Sequence, residues 1–163
     1  MWTGFQAVGF ALLAILIYIW FRFEWQFGFG AVVALIHDVI FTLGILTIFK
    51  IEFSLASIAA ILTIAGYSIN DSVVIFDRIR ENLRKYKKLQ LIDVFNLSIN
   101  NTLSRTIMTS ITTLLALISL FVFGGEVIKP FAFTMIIGVI IGTYSSIFIA
   151  VPTLLIFKFR PQD

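Results

Sequence analysis

Not one of the 163 residues is cysteine, so disulfides and thiolate metal sites are excluded, while the redox compartment stays open. His37 is the single histidine, too few for a histidine-based metal site. Charge is scarce too: Asp, Glu, Lys and Arg make up 13% of the chain, against about 25% in soluble domains. No low-complexity tract, collagen-like period or Gly-rich phosphate loop is present. No basic residues precede the first apolar run, as they would in a secretory signal peptide. On these grounds no cofactor, metal, catalytic group or nucleic-acid partner is expected, and the chain does not read as an enzyme.

What fills the space is apolar. Hydrophobic residues make up 60% of the sequence, 18 of them Phe, and the mean hydropathy is +1.03. Soluble domains hold about 45–50% apolar residues, so this composition describes an integral membrane protein. The fold class expected is all-α, a polytopic helix bundle forming one transmembrane domain over residues 1–163. Five segments approach the ~20 residues that a ~30 Å hydrocarbon core requires: 5–21, 27–49, 53–77, 106–123 and 131–157. An interfacial cluster of Trp20, Phe21, Phe23 and Trp25 closes the first, and Lys158, Arg160 and Pro161 stop the last. Short links at 22–26, 50–52 and 124–130 make successive helices antiparallel neighbours.

One link is long, 78–104. Its first half crowds Arg78, Arg80, Arg84, Lys85, Lys87 and Lys88 together, which suits a solvated face near anionic headgroups. Its second half repeats Leu91, Val94, Phe95, Ile99 and Leu103 at three- and four-residue steps, the spacing of an amphipathic helix. A pair of surface-lying helices before the fourth span is expected. The basic cluster reads first as a topology signal, and second as a docking surface for a partner. With five spans, ten of the twelve Lys and Arg fall on one side and only Lys50 and Lys129 on the other. The positive-inside rule then puts the carboxyl terminus in the cytoplasm and the amino terminus outside. An outside start without a leader predicts at least one preceding span.

The chain is organised around Gly66–Arg84, where an apolar run carrying Asn70 and Asp71 passes unbroken into the basic stretch. Hydrocarbon cannot solvate a carboxylate, so Asp71 must face a bundle interior, water or a partner. Thr63, Gly66, Asn70, Asp71 and Val74 mark one face of the third span; Arg105, Thr109, Thr112, Ala116 and Ser119 form a stripe on the fourth. Ala34, Asp38, Thr42 and Ile45 line the second, and Thr134, Gly138, Gly142 and Ser146 the fifth. These four stripes are expected to pack together, with Phe, Leu and Ile facing lipid. Asp71 and Arg105 stand out as opposite charges at bilayer depth, with Asn70 and Asp38 as further candidates. Asp38 and His37 read equally well as a hydrogen-bonded interior pair. Gly138 and Gly142 read as helix-packing positions remote from the acidic site, and the Thr and Ser stripes as groups able to bond their own backbones.

The run Gly66-Tyr67-Ser68-Ile69-Asn70-Asp71-Ser72-Val73-Val74-Ile75-Phe76-Asp77-Arg78-Ile79-Arg80-Glu81-Asn82 resembles the signature of the SecF family of protein-translocase subunits. So do Ser98 to Thr106, the following Thr109-Ser110 and Thr112-Thr113, and Ala34-Leu35-Ile36-His37-Asp38-Val39. The sister SecD family usually has Asn-Val where this chain has Asn70-Asp71. The resemblance covers nearly the whole chain, as the carboxyl-terminal five of that family's six spans. It implies an accessory subunit of bacterial Sec export in the inner membrane, built like resistance-nodulation-division transporters and driven by the proton motive force. Its implied partners are a SecD-like subunit, the Sec channel, the translocating polypeptide and membrane lipid. It places the working acid and cation on Asp71 and Arg105. Two other readings stand beside it: a non-conducting scaffold in which Asp71 and Arg105 lock two helices, and, more remotely, an intramembrane aspartyl protease using Asp38 and Asp71.

Overall fold

The structure, a computed structural model, describes residues 2–22, 25–51 and 54–156. Those residues are helical with short turns, in the order α1 (Trp2–Arg22), α2 (Trp25–Ile48), α3 (Leu55–Lys85), α4 (Leu91–Phe123), α5 (Lys129–Ser145), a π-helical turn (Ser146–Ala150) and α6 (Val151–Ile156). The last three form one continuous rod. Four helices, counting that rod as one, are long and apolar enough to cross a bilayer. α1, with 21 residues, covers the first expected span. The all-α membrane bundle follows. Phe23, Glu52, Phe53 and the 157–163 tail with Lys158, Arg160 and Pro161 lie outside the described residues.

Local chemistry sets the ends. Ser54 caps α3 through a reciprocal box in which its Oγ accepts from the Ser57 N–H and Ser57 Oγ accepts from the Ser54 N–H, satisfying donors that a helix start leaves orphaned. Gly125 turns the chain between α4 and α5 at φ 77°, a left-handed conformation that costs glycine little. Pro130 occupies the first turn of α5, where its missing N–H is harmless. The π turn ends two residues before Pro152. A proline inside a helix removes one hydrogen bond and crowds the carbonyl one turn back, and a widened turn relieves both.

The long link differs from a pair of surface-lying helices. α3 runs straight through the basic residues to Lys85, and α4 starts at Leu91, so 78–104 is a helical hairpin that extends the two spans. At 33 residues α4 is ~50 Å long at 1.5 Å per residue, well beyond a ~30 Å core. The reason is burial: Val94 and Phe95 join Ile75, Phe76, Ile79 and Leu83 in one core, and Asn82 Nδ2 donates to Ser98 Oγ at 2.9 Å between the two arms. The amphipathic spacing was a packing face against α3.

α3 touches every other helix and α5 packs most closely on it. Two cores result, a larger one around Phe27, Phe76 and Val94 and a smaller one of Ala60, Ile64, Leu117, Met135 and Val139. Arg22 at the end of α1 pairs with Asp77 of α3 at 3.0 Å, which puts that end of α1 at the basic end of the bundle. Phe49, Phe121 and Phe133 gather at the opposite end beside the turns that carry Lys50 and Lys129. Phe10, Phe29, Ile40, Phe41, Leu115, Ile118 and Phe148 face outward.

Candidate functional site

Asp38 is completely buried in α2. Ser68 Oγ of α3 donates to its Oδ2 at 2.5 Å, and His37 Nδ1 lies 3.1 Å from its Oδ1. The His37 ring in turn lies 4.3 Å, centroid to centroid, from that of Phe41 one turn on. Next to Ser68, Tyr67 OH donates to Ser110 Oγ at 3.3 Å, and the Ser110 and Thr143 hydroxyls bond at 2.7 Å. One polar layer therefore crosses α2, α3, α4 and α5 in mid-bundle.

Asp71 lies three residues beyond Ser68 and four beyond Tyr67, about one turn (~5.4 Å) nearer the basic end. It is 4% exposed, and its Oδ2 is buried without a hydrogen-bond partner, as are Ser72 Oγ and Thr42 Oγ1. A buried polar atom left unpaired is costly, and such an atom on a carboxylate marks a place where a proton, water or moving cation is expected. Arg105 is near enough to act electrostatically on this carboxyl. Yet no ion pair within 4.0 Å joins Asp71 and Arg105 among the described residues, and Arg105 is exposed. The arrangement is an acid with a cation in its field, without a locked salt bridge. Asp38, meanwhile, engages Ser68 and His37 through its two oxygens, which is not the geometry of two carboxylates sharing one proton.

The stripes on α2 and α5 face inward as expected, with Ala34, Asp38, Thr42, Thr134, Gly138, Gly142 and Ser146 all buried. Those on α3 and α4 do not. Thr63, Gly66 and Asn70 are exposed, and Asn70 lines an open groove of ≈ 370 Å³ with Gly66 and residues Ala14, Ile15 and Tyr18 of α1. Asn70 and Asp71, ~100° apart on the helix, fall on different faces, one exposed and one buried. On α4, Arg105, Thr112, Ala116 and Ser119 are exposed and Thr109 is half-buried; the buried stripe is Ser98, Thr102, Thr106 and Ser110. The physical reason is that Thr109, Thr112 and Ser119 satisfy their hydroxyls on carbonyls one turn back, so their polarity does not require burial.

Gly138 is a packing position remote from the acids, but Gly142 is not. A Cβ at Gly138 would overlap the Ile64 side chain, and one at Gly142 would stand 3.2 Å from Ser68 Cβ. Gly142 thus seats α5 on the residue that holds Asp38. Ser68, Tyr67, Ser110 and Thr143 were not singled out from sequence. Their one available signal was that Ser68 and Ser110 lie inside the motif runs, since single hydroxyls in apolar helices carry no periodic mark.

These features define a polytopic membrane helix bundle with an acid held beside a polar interior layer. The model for "Protein export membrane protein SecD/SecF, C-terminal" matches residues 1–160, and the chain belongs to that family. It is 60% identical over 158 residues to protein translocase subunit SecF of Rickettsia rickettsii (strain Sheila Smith), covering 97% of this chain and 51% of that protein. With SecF of Cereibacter sphaeroides it shares 61% over 148 residues, 91% of this chain and 46% of that one. The crystal structure of SecDF, a translocon-associated membrane protein from Thermus thermophilus, superposes with a TM-score of 0.91 at 46% identity, covering 95% of this chain and 22% of that one. A SecDF crystal structure in a super-membrane-facing form gives 0.85 at 47% identity, with 90% and 20% covered. The chain spans about half the length of the curated relatives it matches.

Proposed function

We propose that residues 1–163 act as one transmembrane domain of an accessory subunit of bacterial Sec protein export, in which protons crossing the inner membrane through Asp71 drive helix movement. The single observation that supports this most is the buried, unpaired Oδ2 of Asp71 in a helix that contacts every other one. Returning or withdrawing the Arg105 guanidinium changes the proton affinity of that carboxyl. Arg105 suits the part because it keeps its own proton. Rocking of α4 and α5 against α3 would carry the output. Asp38 takes part through its hydrogen bond with Ser68. The exposed Arg105, Thr112 and Ser119 face and the Asn70 groove are offered to a SecD-like subunit, with the Sec channel and the translocating polypeptide as further partners and lipid on the Phe, Leu and Ile faces.

The test is proton flux. Vesicles carrying the full-length protein with its partners should take up protons under an imposed gradient, and Asp71→Asn should stop the uptake. Uptake that continues unchanged in Asp71→Asn would remove Asp71 from the route.

The same reading orients the bundle, with the basic hairpin tip in the cytoplasm and the Lys50 turn outside. Because no native cysteine competes, single cysteines report this directly. An impermeant thiol reagent on intact cells should label Ile51→Cys and spare Tyr86→Cys; the reverse pattern would invert the orientation.

A further inference from the structure

Ser68 meets two neighbours with two different atoms. Its hydroxyl donates to Asp38 Oδ2 at 2.5 Å. Its Cβ faces Gly142 of α5, where only glycine fits freely: a Cβ built on Gly142 would stand 3.2 Å from Ser68 Cβ and 3.5 Å from Ser68 Oγ. Glycine leaves that space open; a carbon brought there, by substitution or by movement of α5 toward α3, would stand closer than ordinary van der Waals contact, and Ser68 would have to give way. Asp38 has no slack to follow, since it is fully buried and its other oxygen faces His37 Nδ1 at 3.1 Å. The other glycine of the pair is different. Gly138, one turn earlier, bears on Ile64, an apolar side chain that holds no acid.

We propose that Ser68 is a positioning residue through which the seating of α5 on α3 sets the hydrogen bonding of the α2 acid Asp38. Gly142 is the contact that transmits it. A shift of α5 toward α3 displaces the Ser68 hydroxyl and frees Asp38 Oδ2; the return of α5 restores the bond. The inference deepens the proton-coupled reading, and it rests on that reading only for its consequence in export.

Infrared difference spectroscopy of the purified full-length protein tests the positioning itself, because carboxyl bands respond to their hydrogen bonds whatever the activity. Asp38→Asn identifies the Asp38 band by its loss. Ser68→Ala keeps the Cβ and removes only the donor, so it should shift that band. Gly142→Ala should shift it in the same direction, and the double variant should go no further than Ser68→Ala alone. Gly138→Ala should lower thermal stability while leaving the band in place. An unmoved band in folded Gly142→Ala would overturn the proposal, as would an equal shift from Gly138→Ala. If Gly142→Ala does not fold, Ser68→Cys, a weaker donor of similar size, should give a smaller shift than Ser68→Ala, and an unmoved band overturns the role. In export, Ser68→Ala and Gly142→Ala should each slow proton-driven transport by roughly tenfold, the scale of one hydrogen bond, without multiplying in the double. Expected bands together with export indifferent to Asp71→Asn would leave the positioning role standing and remove the proton-coupled reading.

Discussion

Asp71→Asn should reduce proton-dependent export to the level seen without a gradient while the protein still inserts and folds. Asparagine keeps the shape of the side chain and removes its titration. Because no salt bridge within 4.0 Å holds Asp71 to Arg105, the substitution does not strip a bonded partner from a buried cation. The about 3–5 kcal/mol that follows from breaking a buried ion pair should therefore be missing from the unfolding free energy. Arg105→Lys should also impair export, since the ammonium lacks the planar fork and can lose its proton when desolvated. The decisive comparison is the double variant Asp71→Asn with Arg105→Gln. If the two residues only lock helices, neutralising both removes the unpaired charge and restores activity. If they work as a proton site, the double variant folds and stays inactive. A folded, fully active double variant in the full-length protein would refute the proton-site role.

The second large effect is on packing. Gly138→Leu should sharply lower the detergent stability of the bundle. A Cβ at this position already overlaps the buried Ile64 side chain, and leucine adds three further carbons against Ala60, Leu117, Met135 and Val139. Overpacking a close-packed interior costs about 1–3 kcal/mol and sometimes more, and α5 approaches α3 closely at both Gly138 and Gly142. Gly44→Ala is the internal comparison, because nothing lies within 4 Å of a Cβ there. Alanine is also the better helix former by about 1 kcal/mol, so Gly44→Ala should hold or raise stability. Coupling should be visible as well: Ile64→Ala in the Gly138→Ala background should recover part of the loss, with an interaction energy of about 0.5–3 kcal/mol. Equal stability of Gly138→Leu and the parent would show that α3 and α5 are not in close contact.

The extended hairpin shows where reading by segment length stops short. Val94, Phe95, Ile99 and Leu103 were legible as an apolar face, but a periodic stripe does not name its partner. A membrane surface and the flank of α3 would each cover it. What decided between them was Asn82 meeting Ser98 and the packing of Phe95 with Ile79 and Leu83 in one core, contacts made only when two distant segments fold back on each other.

By itself the sequence determined that this is a membrane helix bundle with several spans, and that Asp71 cannot face lipid. Those conclusions follow from solvation: apolar length fixes what can cross hydrocarbon, and an acid in hydrocarbon costs too much to face lipid. The tertiary structure alone decided which hydroxyl stripe of α4 is buried, which atom of Asp71 lacks a partner, and that Gly142 faces Ser68. Serine and threonine in a helix bond the carbonyl one turn back, as Thr109, Thr112 and Thr134 do, so their hydroxyls are nearly indifferent to lipid or protein. Only neighbours brought together from positions far apart in the chain, such as Asp38 with Ser68 and Ser110 with Thr143, give one of those faces an interior.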